Sequence, residues 1–135
     1  MVPVHWAVYI CDMDRLALGR VGEDAAAAAL TVRGYFILRR NVRSRYGEID
    51  LVAMHGSEIV FVEVKTRTTG ERGRPFEAIH PAKQRRLARL AISFMHGRRL
   101  QDRACRFDAV AVYLTPDGRV AQVEIMPNAF DATVF

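Results

Sequence analysis

Three residues in the middle of the chain carry groups that could hold a cation and act on a phosphate. Asp50 lies in the run GEIDLVAM, and Glu63 and Lys65 lie in VFVEVKTR. A two-residue turn at Gly56 and Ser57 would join these runs as a β-hairpin, since glycine readily adopts the positive φ of the first turn position. This register places Asp50 directly opposite Glu63.

The facing acids are the unusual feature of this hairpin. Opposed Cβ atoms in an antiparallel pair are ~4.5–5.5 Å apart, and like charges there are destabilising. A cation such as Mg²⁺ would remove the repulsion, because it is held by carboxylates together with substrate phosphate oxygens. Lys65 lies two residues beyond Glu63 and therefore on the same face. The alternative interpretation is a set of solvated polar residues on an open sheet face.

The same register divides the rest of the hairpin into two faces. Glu48 would meet Lys65 beside the facing acids, and Val52 would meet Phe61. The opposite face is then wholly apolar, with the facing pairs Ile49–Val64, Leu51–Val62 and Ala53–Val60.

A helix is predicted before the hairpin, from about Asp14 to Arg33, with Gly34 as its terminating glycine. Its predicted buried stripe consists of Leu18, Val21, Ala25, Ala28, Ala29 and Val32. Glu23 on this helix is either an ordinary surface residue paired with Arg20 or a third carboxylate aimed at the hairpin. Residues 1–12 are expected to be a variable N-terminal extension, with an edge strand as the alternative, and residues 13–135 a single domain.

The remaining elements complete a mixed α/β order. Residues 35–43 favour a first strand, Pro81 to Gly97 a second helix, and 106–114 with 120–126 a closing hairpin. The predicted inner face of the second helix is Gln84, Leu87, Leu90, Ala91, Phe94 and Met95, and its outer face is Lys83, Arg85, Arg86 and Arg89. Asp108 is expected to be a structural or capping acid.

Arginine carries most of the excess positive charge of the 135-residue chain, whose net charge is +5. A basic domain indicates a polyanionic partner, although charge alone is weak evidence. Phosphate contact and simple solvation of a basic edge are equally compatible with the pattern. The candidate phosphate-binding residues are Arg39, Arg40, Arg43, Arg45, Arg67, Arg72, Arg74, Arg85 and Arg86.

Cysteine and histidine usage excludes several kinds of site. Cys11 and Cys105 match no metal-binding spacing, and the scattered histidines form no zinc pattern. Two distant cysteines fit a reducing compartment, so the cytoplasm is the expected location. The apolar run from Val4 to Cys11 is too short for a membrane span and lacks the features of a signal peptide, so no membrane association is expected.

Six blocks of this sequence resemble the bacterial YraN-like family. They are LGRVGED at 18–24, GYFILRRNVR at 34–43, GEIDLVA at 47–53, VFVEVKTR at 60–67, AKQRRL at 82–87 and RFDAVAV at 106–112. That family is assigned to the PD-(D/E)XK nuclease-like superfamily. The resemblance implies a restriction-endonuclease-like αβββαβ core, with a mixed central sheet flanked by helices and one extra C-terminal strand.

The resemblance also implies roles for individual residues. Asp50, Glu63 and the backbone carbonyl of Val64 would be metal ligands, Lys65 the catalytic lysine, and Glu23 the helix-borne acid and a further candidate ligand. Glu48 and Gln84 are candidates for polar residues that support the ligands. The proline of the motif name is replaced here by Ile49, a position that often varies in the superfamily.

The implied function is a Mg²⁺- or Mn²⁺-dependent nuclease that hydrolyses DNA phosphodiester bonds. It would bind DNA with little sequence preference, and branched or junction DNA in repair or recombination is the candidate substrate. Junction-cutting relatives act as dimers, which makes a homodimer a candidate assembly. The alternative is a non-catalytic module that binds nucleic acid or protein on a nuclease-like fold.

Overall fold

The computed structural model describes residues 4–68 and 79–131, and side chains from Leu16 onward. The elements in chain order are α1 (Val4–Val32), β1 (Phe36–Ser44), β2 (Gly47–His55), β3 (Glu58–Thr68), α2 (Pro81–Gly97), β4 (Cys105–Leu114) and β5 (Val120–Phe130). This order confirms the predicted αβββαβ core with one additional C-terminal strand.

The five strands form one mixed sheet in the order β1-β2-β3-β4-β5. Only β3 and β4 pair in parallel, and α2 makes the crossover between them. Helix α1 packs against β1, β3, β4 and β5, whereas α2 packs against β2. Each face of the sheet therefore has its own apolar core, one containing Leu30 of α1 and the other Phe94 of α2.

Helix α1 begins at Val4 rather than at the predicted Asp14. Its C-terminal end is as predicted, since Gly34 has φ +89°. Gly34 N–H donates to the Thr31 carbonyl and Tyr35 N–H to the Leu30 carbonyl, both at 3.0 Å, which is a Schellman motif. That residues 1–12 form a variable extension stays a prediction.

The buried line of α1 differs from the predicted stripe. Gly22, Ala26 and Leu30 are buried, whereas Ala28 is exposed and Val32 is 88% exposed. The prediction failed because a run of alanines gives little contrast between the sides of a helix. This side of α1 therefore packs against the sheet. Glu23 lies on the same side as Ala26 and Leu30 and is half-buried.

Helix α2 has the predicted bounds, and its first turn is capped by a residue that the prediction missed. The His80 Nδ1 accepts the Ala82 N–H at 3.1 Å, and Pro81 follows directly after this cap. Such a cap satisfies one of the free N–H groups of the first turn.

The central hairpin has the predicted register. Pairs of β2 and β3 run from His55–Glu58 at the turn to Leu51–Val62. The prediction that pairing continues through Glu48 and Lys65 was wrong, because the observed ladder between these strands stops at Leu51.

Ile49 also departs from the predicted alternation. It packs with Val52 and Phe61 on the α2 side of the sheet, whereas Leu51 packs on the α1 side. Between Gly47 and Asp50, β2 is paired with β1 but not with β3. The regular alternation of its side chains is lost where the strand is held from one side only.

In the part of the chain that the structure describes, neither helix combines the length and apolar character needed to cross a bilayer.

Candidate metal centre

The candidate site lies where β2 and β3 separate. Beyond the Leu51–Val62 pair, the Val64 N–H donates to the Asp50 Oδ2 at 2.8 Å. The carboxylate thus takes a donor that a continuing ladder would give to a main-chain carbonyl. Asp50 therefore lies at the opening between the two strands, but the ladder ends before it, so the predicted Asp50–Glu63 pair is not part of the observed register.

Carboxylates from two elements converge on this opening. Oxygen atoms of Glu23, Glu48 and Asp50 all lie within 4.8 Å of one another, and all three side chains are half-buried. Helix α1 can supply Glu23 because it comes close to β3. A Cβ on Gly22 would lie 1.9 Å from the Thr66 Oγ1. This acidic triad could hold a metal ion.

The charges around Asp50 are those expected of a cation-binding site. Burial, followed by the charge of Glu63, raises the pKa of Asp50 to about 7, and the charges of Glu23 and Glu48 add to the shift. The hydrogen bond from the Val64 N–H opposes the shift. Acids whose charges raise the pKa of Asp50 form a site with excess negative charge, and carboxylate oxygens are the ligands that hard divalent cations take.

Glu63 lies beside Asp50 but outside the triad. It is 9% exposed, and the Lys83 Nζ is in contact with its Oε1. The placement of Lys83 on the outer face of α2 was therefore wrong. Lys83 stands four and seven residues before Leu87 and Leu90, which are buried, and this spacing could have located it on the inner face.

Lys65 lies in the same charge environment. Burial lowers the pKa of Lys65, and the neighbouring charge of Lys83 lowers it further. The acids Glu63 and Asp50 act in the opposite direction. A lysine in such surroundings has a less strongly held proton than a free lysine, which suits a group that works next to a reacting phosphate.

The two residues expected to support the ligands, Glu48 and Gln84, lie in different places. Glu48, expected to support the ligands, belongs to the triad itself. Gln84 is half-buried, and its Nε2 donates to the Ile79 carbonyl at 2.8 Å. The N–H and C=O of one strand residue point towards the same neighbour, so the Val64 carbonyl is on the side that faces Asp50.

Two of the β1 arginines are already paired with acids near the site. Arg40 lies 2.6 Å from the Asp24 Oδ1, and Arg43 lies 3.3 Å from the Glu48 Oε2. Both guanidinium groups remain substantially exposed, so these pairs contribute little to stability and can exchange partners. The basic edge of the sheet is therefore next to the acidic triad.

The other arginines have varied surroundings. Arg45 donates to the Tyr46 hydroxyl at 2.7 Å, and Arg39 and Arg67 each donate to the main-chain carbonyl of the preceding residue. Arg85 and Arg86 are exposed on α2. Arg72 and Arg74 lie outside the described residues.

A second group of buried charges lies near the turn of the central hairpin. Asp108 is 1% exposed and accepts from the Tyr35 hydroxyl at 2.8 Å, the Arg106 Nε at 3.0 Å and the Asn128 N–H at 3.0 Å. Arg106 also donates to Glu58 at 3.0 Å. We refer to Tyr35, Glu58, Arg106 and Asp108 as the ionic network.

The sequence comparisons agree with one another. The model of the uncharacterised protein family UPF0102 matches residues 22–112. A UPF0102 protein of Moorella thermoacetica is 50% identical over 118 residues, which is 87% of this chain and 98% of the relative. One from Symbiobacterium thermophilum is 51% identical over 115 residues, which is 85% of this chain and 97% of the relative.

A more distant relative covers the same share of the chain. A UPF0102 protein of Dictyoglomus turgidum is 37% identical over 118 residues, which is 87% of this chain and the whole of the relative. The chain therefore belongs to the uncharacterised protein family UPF0102, which is the YraN-like family that its sequence blocks resemble.

Proposed function

We propose that this protein is a metal-dependent nuclease that hydrolyses DNA phosphodiester bonds. One observation carries the proposal: Glu23, Glu48 and Asp50 converge beside Glu63 and Lys65 at the opening between β2 and β3. A protein that only bound nucleic acid would gain nothing from acids that repel phosphate. The same acids are required if a cation is to be held against a phosphate oxygen.

The side chains divide into ligands and groups that act on the substrate. Asp50, Glu63, the Val64 carbonyl and Glu23 or Glu48 would hold one or two Mg²⁺ or Mn²⁺ ions. When bound, the cation supplies a Lewis acid for the phosphoryl oxygen and lowers the pKa of water. Lys65 donates to the attacking water and to the phosphoryl oxygens, where negative charge develops.

The arginines near the site provide contacts that do not depend on sequence. Arg40 and Arg43 on β1, Arg67 at the end of β3, and Arg85 and Arg86 on α2 are the described candidates. Contacts to backbone phosphates fix the position of the duplex without reading bases. Binding of this kind weakens steeply as the salt concentration rises.

A cleavage assay tests the proposal directly. The protein is incubated with branched, single-stranded and linear duplex DNA, in Mn²⁺ and in EDTA. We expect cleavage in Mn²⁺ alone, with branched DNA the best substrate. We expect a loss of about a hundredfold or more in the Glu63→Ala and Lys65→Ala variants, the magnitude typical of a lost transition-state contact. Glu124→Ala and Arg119→Ala, at exposed positions, are matched charge controls.

The possible results separate the proposal from its alternative. Cleavage that persists in EDTA, or survives both substitutions, contradicts the mechanism. Salt-sensitive binding of DNA without cleavage of any substrate favours a non-catalytic nucleic-acid-binding module. Sedimentation with a four-way junction tests the expected homodimer, which predicts two chains per junction. Cytoplasmic location remains part of the proposal.

A further inference from the structure

Lys83 contacts a buried carboxylate, and the proposed reaction gives it no role. Its Nζ lies against the Oε1 of Glu63, whose side chain is only 10% exposed. An ionised carboxylate with so little access to water needs a cation or several hydrogen-bond donors nearby. Among the described residues, Lys83 is the cation in contact with Glu63.

The helix fixes the backbone of Lys83 but leaves its head group movable. Lys83 lies in the first turn of α2, which is capped by His80 and held to the sheet through Leu87. Its side chain is 34% exposed, and lysine carries its charge on a flexible four-carbon stem. The ammonium can therefore leave Glu63 without any movement of α2.

Glu63, the partner of Lys83, stands apart from the other acids. Glu63 is close enough to Asp50 to raise its pKa, yet it is not among the carboxylates whose oxygens lie within 4.8 Å of one another. An ammonium and a divalent cation on the same carboxylate oxygen would repel each other strongly at contact distance. Only one of them can occupy that oxygen at a time.

We propose that Lys83 is a positioning residue that controls cation loading of the site. Its ammonium holds Glu63 while no divalent cation is bound, and the cation must displace it to use Glu63 as a ligand. This inference rests on the proposed function, because it takes the acids around Asp50 to be a metal site. The inference adds to that function a competition between the Lys83 ammonium and the metal ion for Glu63.

Calorimetric titration with MnCl₂ tests the inference on the full chain without any substrate. Lys83→Gln removes the competing ammonium, so Mn²⁺ is expected to bind about tenfold more tightly than to the wild type, a change of about 1.4 kcal/mol. Arg89→Gln removes the same charge from an exposed position of the same helix. Its Mn²⁺ affinity is expected to stay within about twofold of the wild type, because exposed charges are screened.

A double-mutant cycle with Glu63→Gln and Lys83→Gln supplies a second readout. In EDTA, unfolding by urea should show a coupling between the two substitutions, since they remove the same contact. In saturating Mn²⁺ the coupling should disappear, because the cation has replaced the ammonium. If Lys83→Gln does not fold in EDTA, Mn²⁺ is expected to restore its circular-dichroism spectrum.

The results distinguish a failure of this inference from a failure of the proposed function. Unchanged or weaker Mn²⁺ affinity in Lys83→Gln, a coupling that persists in Mn²⁺, or no recovery of folding by Mn²⁺ overturns the inference, even if the wild type cleaves DNA. Tighter binding in Lys83→Gln with no cleavage by the wild type supports the inference and contradicts the nuclease. If neither protein binds Mn²⁺, both are wrong.

Discussion

Two regions of this molecule bury carboxylates, and they satisfy them in opposite ways. In the ionic network, Asp108 is surrounded by donors from Arg106, Tyr35 and the main chain of Asn128. In the acidic site, the nearest charges to Asp50 include other acids, and the main-chain N–H of Val64 is a donor to it. Both regions depend on β3, with Glu58 in one and Glu63 in the other, five residues and roughly 16 Å apart.

The difference separates acids that are fully satisfied by protein donors from acids that could take up a cation. A buried acid whose oxygens all meet donors is held in one arrangement and has no capacity left for a ligand. A group of acids that raise the pKa of one member stores unfavourable energy that a bound cation can relieve. The charge balance around each acid, rather than its burial, distinguishes the two regions.

The strongest test of the contrast is removal of the Asp108 charge. Asp108→Asn removes the buried charged partner of Arg106, whose side chain is 11% exposed, and leaves it only the more exposed Glu58. We expect a loss of about 4 kcal/mol in the free energy of unfolding measured with urea, the size typical of a broken buried ion pair. Asp117→Asn breaks the exposed pair with Arg119 and should change stability by less than about 0.5 kcal/mol.

A small effect of Asp108→Asn would contradict this prediction. If Asp108→Asn costs no more than Asp117→Asn, the ionic network contributes no more than a surface pair. Mn²⁺ should stabilise the Asp108→Asn variant and the wild type equally, so the difference between them should not change, because the network is not part of the candidate metal centre.

Removal of the Asp50 charge should raise the stability of the metal-free protein, whereas removal of the Asp108 charge should lower it. The pKa of Asp50 is raised from 3.8 to about 7, so the folded state holds this proton more tightly than the unfolded state. Stability should therefore fall as the pH rises from about 4 to about 7. Asp50→Asn lacks this loss and should be more stable than the metal-free wild type at pH 8, by about 2 kcal/mol and at most about 4 kcal/mol.

The measurement is urea unfolding of both proteins in EDTA between pH 4 and pH 8. The advantage of Asp50→Asn should vanish near pH 4 and should shrink at pH 8 when Mn²⁺ stabilises the wild type. A difference between the two proteins that does not change with pH would contradict the electrostatic account of the site.

The smallest expected effect comes from the close approach of α1 to β3. Gly22→Ala places a methyl group 1.9 Å from the present position of the Thr66 Oγ1, so the helix or Thr66 must shift. We expect a loss of about 1 kcal/mol in stability and several-fold weaker Mn²⁺ binding, because Glu23 follows Gly22 on the helix.

Gly19→Ala is the matched control for that substitution. It lies one turn earlier on α1 with no atom within 4 Å of the added methyl group, and should be stabilising by about 0.5–1 kcal/mol. Equal Mn²⁺ affinities in both variants would show that Glu23 does not contribute to the metal centre.

Local sequence determined much of this architecture. The Gly56 turn and the apolar runs on either side specify the hairpin register from His55–Glu58 to Leu51–Val62, and this register brings Asp50 near the charge of Glu63. Gly34, Pro81 and Gly97 predict three of the four helix ends, because glycine and proline restrict the backbone over a few residues. The resemblance of six sequence blocks to the YraN-like family implied the fold and the candidate roles of the acids.

Tertiary structure decided which charges meet. Lys83 contacts Glu63 because α2 crosses the sheet face there. Glu48 lies with Asp50 in a part of β2, before Leu51, that is not paired with β3. Helical spacing can locate Lys83 on the inner face of α2, but no local signal shows which carboxylate it meets, because that depends on side chains distant in sequence. The sequence therefore predicted which groups could do the chemistry, and only the packed sheet shows which of them share charge and which are kept apart.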